Sequence, residues 1–360
     1  MTEKSRAAVL IGPNEFDLRE IDLPEIDADS ALLKIEACGI CGSDIEGSRK
    51  LEDGPKILGH ENVGIIARIG SAARQRWKLS EGDRVALEEY VPCGACKWCR
   101  SDDFRFCDQT DRGGSLRYGT TSLNVPPSLW GGYSQYLFVH SNAVIHSMPS
   151  HIPAAHAAMF LPMSNGIEWT YEYGELRLGD AVLIQGPGQQ GLAAAFAAKT
   201  AGAACVIVTG LSRDANRLAM ALRLGADYVI DVEKEDVTSK VTDYTGGEGV
   251  NVVVNVTGGG EGTVQQGIAV AAKRCNVVLA AAGAQTVNVR DFGRRKLSLK
   301  QANGHSYNSV ELAIQFLASG KLPMDELSTH VFGLADAAKA IDTVAGRGEP
   351  AIHVSIDPDL

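Results

Sequence analysis

The sequence predicts an α/β protein of two domains, a small β-rich one and a doubly wound parallel sheet. Three observations predict it. The chain has 360 residues, more than one ordinary core organises, so it should divide. Between residues 7 and 90, apolar runs at 8–11, 31–35, 64–69 and 83–87 alternate with Gly and Pro, as strands joined by turns do. Near Gly179 the rhythm changes. Buried-strand runs at 181–184, 205–209, 228–230, 251–256 and 276–280 are separated by helical stretches reaching about residue 201, at 214–224, near 235–244 and from Glu261. Strands alternating with helices specify parallel pairing with helices on both faces. The tail adds amphipathic helices at 309–319 and 334–344 and a last strand at 351–356. Glu233-Lys234-Glu235-Asp236 reads as a solvated helix start.

Composition narrows the function. Hydrophobic residues make up 45% and charged residues 22%, as in a globular protein. A net charge of −10 argues against nucleic acid, whose phosphates need a basic surface. The first ten residues lack the apolar core of a secretory signal. No window approaches the roughly 18 apolar residues a membrane helix needs, and the nearest, 191–208, is broken by Lys199. A cytoplasmic protein is expected. Of eight cysteines, six lie between Cys38 and Cys107. In such a setting, clustering points to metal or redox chemistry rather than disulfides.

Cys93, Cys96, Cys99 and Cys107 are spaced C-x2-C-x2-C-x7-C. Four thiolates this close can close around one Zn²⁺ tetrahedrally, leaving no position for substrate. A structural zinc would also order a long loop, residues 92–132, that has few apolar residues near the cysteines.

A second constellation has a different character. Cys41 follows a predicted strand, and His60-Glu61 precedes the next one. One sulfur, one imidazole and one carboxylate from neighbouring loops suit a zinc site with a position left open. Zinc lowers a hydroxyl pKa from about 16 to about 7, offsetting roughly 12 kcal/mol of deprotonation cost. On these residues alone, core packing or a Cys38–Cys41 redox pair remains open.

Gly186-Pro187-Gly188-Gln189-Gln190-Gly191 is G-x-G-x-x-G between a predicted strand and helix, as the dinucleotide fingerprint requires. The second strand ends Thr209-Gly210-Leu211-Ser212-Arg213. A carboxylate at Gly210 would favour NAD through the ribose hydroxyls. Its absence, with Ser212 and Arg213 free to meet a 2′-phosphate, leans toward NADP. Asp214 could also swing into the empty place.

The block Gly59-His60-Glu61-x-x-Gly64-x5-Gly70-x-x-Ala73, together with Gly39-Ile40-Cys41-Gly42-Ser43-Asp44 and the four-cysteine loop, resembles the zinc-dependent medium-chain dehydrogenase/reductase family. The similarity to its alcohol, sorbitol and threonine dehydrogenase branches covers essentially the whole chain. It implies a GroES-like catalytic domain (1–153 and 296–360) carrying the zinc loop 93–107, and a Rossmann NAD(P)-binding domain (154–295). It further implies two zinc ions per chain. Cys41 and His60 would hold the catalytic one, with Glu61 as a direct or alternating third ligand. Ser43 would bind the substrate oxygen and Asp44 would orient His60. Two departures stand out. Relatives place a Cys or carboxylate ligand where this chain has Leu161, which leaves Glu61, or a nearby group such as Glu168. Relatives often carry a relay His where this chain has Glu46. His353 stands where some relatives offer a basic residue to the pyrophosphate, and Trp130, Phe160 and Trp169 flank segments that line the substrate cleft. The implied activity is hydride transfer between NAD(P) and a secondary alcohol or polyol, in a homodimer or homotetramer. Two alternatives stay open: an NAD(P)H-dependent enone reductase, as in zinc-free branches, and a catalytically idle zinc and nucleotide-binding protein.

Overall fold

The structure is a computed structural model that describes residues 3–51, 53–111, 116–258, 260, 262–280 and 287–360. It forms two compact units, Met1–Leu161 with Ile314–Leu360, and Pro162–Ala313.

The first unit is mostly sheet. In chain order its strands are β1 (Lys4–Gly12), β2 (Glu15–Asp22), β3 (Ala31–Gly39), β4 (Lys56–Ile57), β5 (Glu61–Ile69), β6 (Arg84–Leu87), β7 (Tyr136–Val139) and β8 (Ile145–Ser147). A small antiparallel sheet runs β2-β1-β4. In the larger sheet β3 pairs antiparallel with both β5 and β7. Flanked on both sides, β3 is buried at seven of nine positions, which explains its nearly continuous apolar run. Leu33, Ile35, Val85, Leu137 and Val354 share the core of this unit.

The second unit holds β9 (Ala181–Gln185), β10 (Cys205–Gly210), β11 (Tyr228–Asp231), β12 (Val250–Asn255), β13 (Ala271–Leu279) and β14 (Ser298–Gln301). They form one sheet ordered β11-β10-β9-β12-β13-β14, parallel throughout. β9 lies between β10 and β12, so the chain's progress across the sheet reverses there. In open α/β sheets the carboxyl ends of the strands at such a reversal form the ligand crevice. The glycine-rich turn leaves β9 at that end. The chain then returns to the first unit with β15 (Ser328–Phe332) and β16 (His353–Ile356), which places β16 between β15 and β3.

The units divide at 161/162 and 313/314 rather than at the expected 153/154 and 295/296. The cause on the C-terminal side is β14, whose ladder to β13 keeps residues 298–301 in the parallel sheet. The expected strand at 276–280 begins earlier, at Ala271, through an irregular stretch where Arg274 has φ +65°. The helix expected from Glu261 begins at Thr263 among the described residues; Glu261 itself lies outside them. Asp236, at the end of the charge run, caps the helix Val237–Tyr244 by accepting from the Ser239 amide at 2.7 Å.

Candidate active site

The site grows from two chain reversals in the first unit. β3 ends at Gly39, and Cys41 is the N-cap of the short helix Gly42–Ser48. Asp44, on the first turn of that helix, is 3% exposed. Its Oδ2 accepts from the Cys41 amide at 2.9 Å, while Oδ1 lies 3.4 Å from His60 Nδ1. One buried carboxylate therefore fixes both the Cys41 backbone and the His60 ring. With Nδ1 engaged, Nε2 remains for another partner; Ser43 Oγ is 3.4 Å from it. Glu61 follows as the first residue of β5, fully buried. Donor atoms of Cys41, His60 and Glu61 all lie within 4.8 Å of one another.

The electrostatics of this cluster suit a cation. Burial favours neutral His60, yet the Asp44 carboxylate outweighs it and holds the imidazole well above its ordinary value. Burial pushes the Glu61 carboxyl up to about 8. Among the described residues neither Glu61 oxygen has a hydrogen-bond partner, an arrangement that costs free energy unless something positive completes it. The chemistry of one thiol, one imidazole oriented by a carboxylate, and one unpartnered carboxylate fits zinc.

The four cysteines form a second cluster, also with sulfurs within 4.8 Å of one another. Cys96 Sγ lies 3.5 Å and Cys93 Sγ 3.9 Å from Cys99 Sγ. A tetrahedron with Zn–S bonds of about 2.3 Å has edges of about 3.8 Å, between these two values. The amides of Ala95 and Cys96 donate to Cys93 Sγ and hold its thiol down to about 6. No position is left for a substrate.

In the second unit the glycine-rich turn has the expected build. Gly186 has φ +106°, in the left-handed region. A Cβ on Gly191 would stand 1.9 Å from Gly186 O, so only glycine lets the helix approach the turn. Gly188 is the N-cap of the helix Gln189–Thr200 and has open space at its Cβ position. Gln190 lies on the first turn of that helix, beside Gln189, which is 9% exposed. Gly210 closes β10, but the space a side chain would take is filled: its Cβ would lie 2.8 Å from Pro187 Cγ. Asp214 does not swing into that place. Its Oδ2 accepts from the Leu211 amide at 3.1 Å and its Oδ1 pairs with Arg217 at 3.3 Å. Ser212 is also engaged, its Oγ donating to Asp231 and its amide to Glu233, both at 2.7 Å. Arg213 is exposed and forms no ion pair with the described residues.

Several expected placements change. His353, expected beside the pyrophosphate, is an interior residue. It is fully buried in β16, with Nε2 3.9 Å from Glu61 Oε2, and burial pushes its imidazole down to about 3. β16 lies between β15 and β3 and is buried at all four positions. A completely enclosed side chain does not offer itself to a pyrophosphate. Glu168 does not join the donor cluster. Its Oε2 accepts from the Ser306 amide at 3.1 Å and from the hydroxyls of Ser306 and Ser309, each at 2.7 Å. Leu161 is 3% exposed and contributes no donor. Trp130 and Trp169 are core residues whose indoles donate to Val125 O and Gly304 O, each at 2.9 Å, and Phe160 is fully enclosed. Glu46 is exposed on the helix that begins beside Cys41.

Sequence comparison decides what this geometry serves. Residues 27–150 match the alcohol dehydrogenase GroES-like domain and residues 191–319 the zinc-binding dehydrogenase family. A Mycobacterium tuberculosis protein named "probable alcohol dehydrogenase" is 38% identical, with 98% of each chain covered. The chain belongs to the zinc-containing medium-chain alcohol dehydrogenase family. Also similar is an erythritol/L-threitol dehydrogenase of Mycolicibacterium smegmatis, 32% identical over 99% of this chain and 98% of that one. Among solved structures, a candidate zinc-binding dehydrogenase of Sinorhizobium meliloti bound to NADP has a TM-score of 0.85. It is 25% identical, with 99% of this chain and 100% of that one covered. In this family the Cys41, His60 and Glu61 cluster is the catalytic zinc site and the four-cysteine lobe the structural one. The protein is a zinc-dependent dehydrogenase acting on CH–OH groups with NAD(P). Among the described residues no helix is long and apolar enough to cross a membrane.

Proposed function

We propose that this dehydrogenase oxidises a secondary alcohol or a polyol to the ketone, reversibly, and prefers NADP. The observation that carries the reading is the convergence of Cys41, His60 and Glu61 around a carboxylate, Asp44, that touches both loops. Zinc held there supplies the Lewis acidity that makes a substrate hydroxyl a ready proton donor. Ser43 Oγ, beside His60 Nε2, accepts that proton. Glu46 lies three residues further along the same helix, where side chains share a face, and passes the proton to solvent. A polyol is supported by the erythritol/L-threitol dehydrogenase relative and by mouse sorbitol dehydrogenase, 30% identical over 98% of this chain and 96% of that one.

The coenzyme preference rests on charge. The turn after β10 lacks a carboxylate at Gly210, and Pro187 fills the space one would need. Arg213 is exposed and forms no ion pair with the described residues, while Asp231 engages the Ser212 hydroxyl. Arg213 is therefore the group that meets a 2′-phosphate. The family resemblance also supports a homodimer or homotetramer working in the cytoplasm.

The test is a rate survey of zinc-loaded protein over cyclic, aryl and polyol alcohols with NAD and NADP. Secondary alcohols or polyols with NADP should give the highest kcat/KM. Enone reduction that survives zinc removal, without alcohol oxidation, would replace this reading, and coenzyme binding without turnover on any alcohol would end it.

A further inference from the structure

The Glu61 carboxylate has neighbours that the proposed chemistry leaves unused. Gly39 pairs with Glu61 on one side and with Ser355 on the other, so three strands meet in register there. His353 lies two residues from Ser355 and therefore on the same face of β16. Glu61, His353 and Ser355 are each 0% exposed. Among the described residues, both Glu61 oxygens, both His353 ring nitrogens and Ser355 Oγ lack hydrogen-bond partners. Fully buried polar groups are nearly always paired, so five unpaired atoms around one glycine call for an explanation.

Gly39 supplies part of it. A Cβ there would fall 2.1 Å from Glu61 Oε2 and 3.0 Å from His353 Nε2. The missing side chain lets the carboxylate and the imidazole face each other across β3. Their 3.9 Å separation is about 1 Å longer than a hydrogen bond. A small rotation of the Glu61 side chain closes that gap. A neutral imidazole carries one N–H, and the carboxylate only accepts, so the polarity of the contact is fixed.

We infer that His353 is a positioning residue: it donates from Nε2 to Glu61 and so holds that carboxylate as the third donor of the catalytic zinc. The inference rests on the zinc-site reading above and deepens it. Cys41 and His60 are already held by Asp44, whereas Glu61, beside the Cys41 thiol, has no geometric hydrogen-bond partner for either oxygen among the described residues. In a chain with Leu161, no carboxylate or sulfur at that position shares the task. A donor on the far side of Glu61 leaves one oxygen for the metal and fixes its direction, as partners of metal ligands generally do.

The experiment measures zinc affinity, not turnover alone. Holoprotein and the variants His353→Ala, His353→Gln and Glu61→Gln are titrated with a chromogenic chelator, and the catalytic zinc is identified as the one absent from Cys41→Ala. His353→Ala should weaken the catalytic zinc about 10- to 100-fold while leaving the four-cysteine zinc unchanged. His353→Gln, which keeps an N–H donor, should recover most of that loss. In a Glu61→Gln background the His353→Ala change should cost no further affinity. Equal zinc affinity in His353→Ala and wild type would overturn the inference, as would an equal loss in both backgrounds, which marks a structural role. If His353→Ala does not fold, a His353→Gln protein with wild-type thermal stability and zinc lost as from Glu61→Gln would overturn it too. Wild-type protein holding only the four-cysteine zinc would instead refute the zinc-site reading, and this inference with it.

Discussion

Without zinc, the catalytic cluster should make the protein less stable as pH rises. The perturbation is metal removal followed by a change from pH 6 to pH 8. Burial raises Glu61 to about 8 in the folded chain, against an ordinary 4.5. A folded-state pKa above the unfolded one means that the protonated carboxyl stabilises the fold. That stability is complete below 4.5 and disappears as pH climbs through 8. Integrating between pH 6 and pH 8 gives a loss of roughly 2 kcal/mol from this one group. His60, also held above its ordinary value, acts in the same direction. The assay is urea unfolding of chelator-treated protein at the two pH values, run beside Glu61→Gln. Stripping the four-cysteine lobe affects both proteins alike, so the difference between them isolates Glu61. The variant should lose about 2 kcal/mol less across the interval. Parallel pH slopes for the two proteins would refute the reasoning, because Glu61 would then ionise in the fold as it does in water.

Other substitutions separate the parts of the machinery. Cys41→Ala should abolish alcohol oxidation and leave one zinc per chain with the fold intact, as read by metal analysis and circular dichroism; retained turnover would contradict it. Cys96→Ala should instead lower thermal stability and release the structural zinc, with any residual folded fraction still active per catalytic zinc. Gly191→Ala forces a methyl to within 1.9 Å of Gly186 O, so the helix must retreat by about 1 Å. Its dissociation constants for NAD and NADP, measured by fluorescence titration, should rise together at least tenfold. Arg213→Ala should lower kcat/KM for NADP by about 10- to 100-fold, the worth of one charged hydrogen bond, and leave NAD nearly unchanged. An unaltered coenzyme ratio would remove Arg213 from the account.

How much of this was legible from residues alone depended on how local each signal was. The parallel sheet was readable because β9, β10 and β12 are buried apolar runs, each followed by a helical stretch. Exposed strands were not: no residue of β2 or β14 is buried, so no buried apolar run marks them. The cysteine lobe was visible in spacing, since all four ligands lie within 15 residues. The catalytic ligands were separable from ordinary core residues only through their family context, because Cys41 and His60 meet through loop geometry that no spacing encodes. The role foreseen for Asp44 in orienting His60 agrees with its 3.4 Å contact, but its second bond, to the Cys41 amide, left no sequence signal beyond its place in the first helical turn. The enclosure of His353 was not foreseen, because the resemblance gave it only a place beside the pyrophosphate. Its burial is a consequence of β16 inserting between β15 and β3, a long-range pairing. The same holds for Pro187, which occupies the space beside Gly210 from a different segment.

Alcohol oxidation by this chain requires a metal ion held between Cys41 and His60. The direct measurement is a crystal of zinc-loaded protein with anomalous diffraction collected on both sides of the zinc edge. Two peaks per chain are predicted, one inside the four-cysteine lobe and one about 2.3 Å from Cys41 Sγ and about 2.0 Å from His60 Nε2. An active crystal in which the second peak is missing, or lies away from both side chains, would contradict the mechanism at its root.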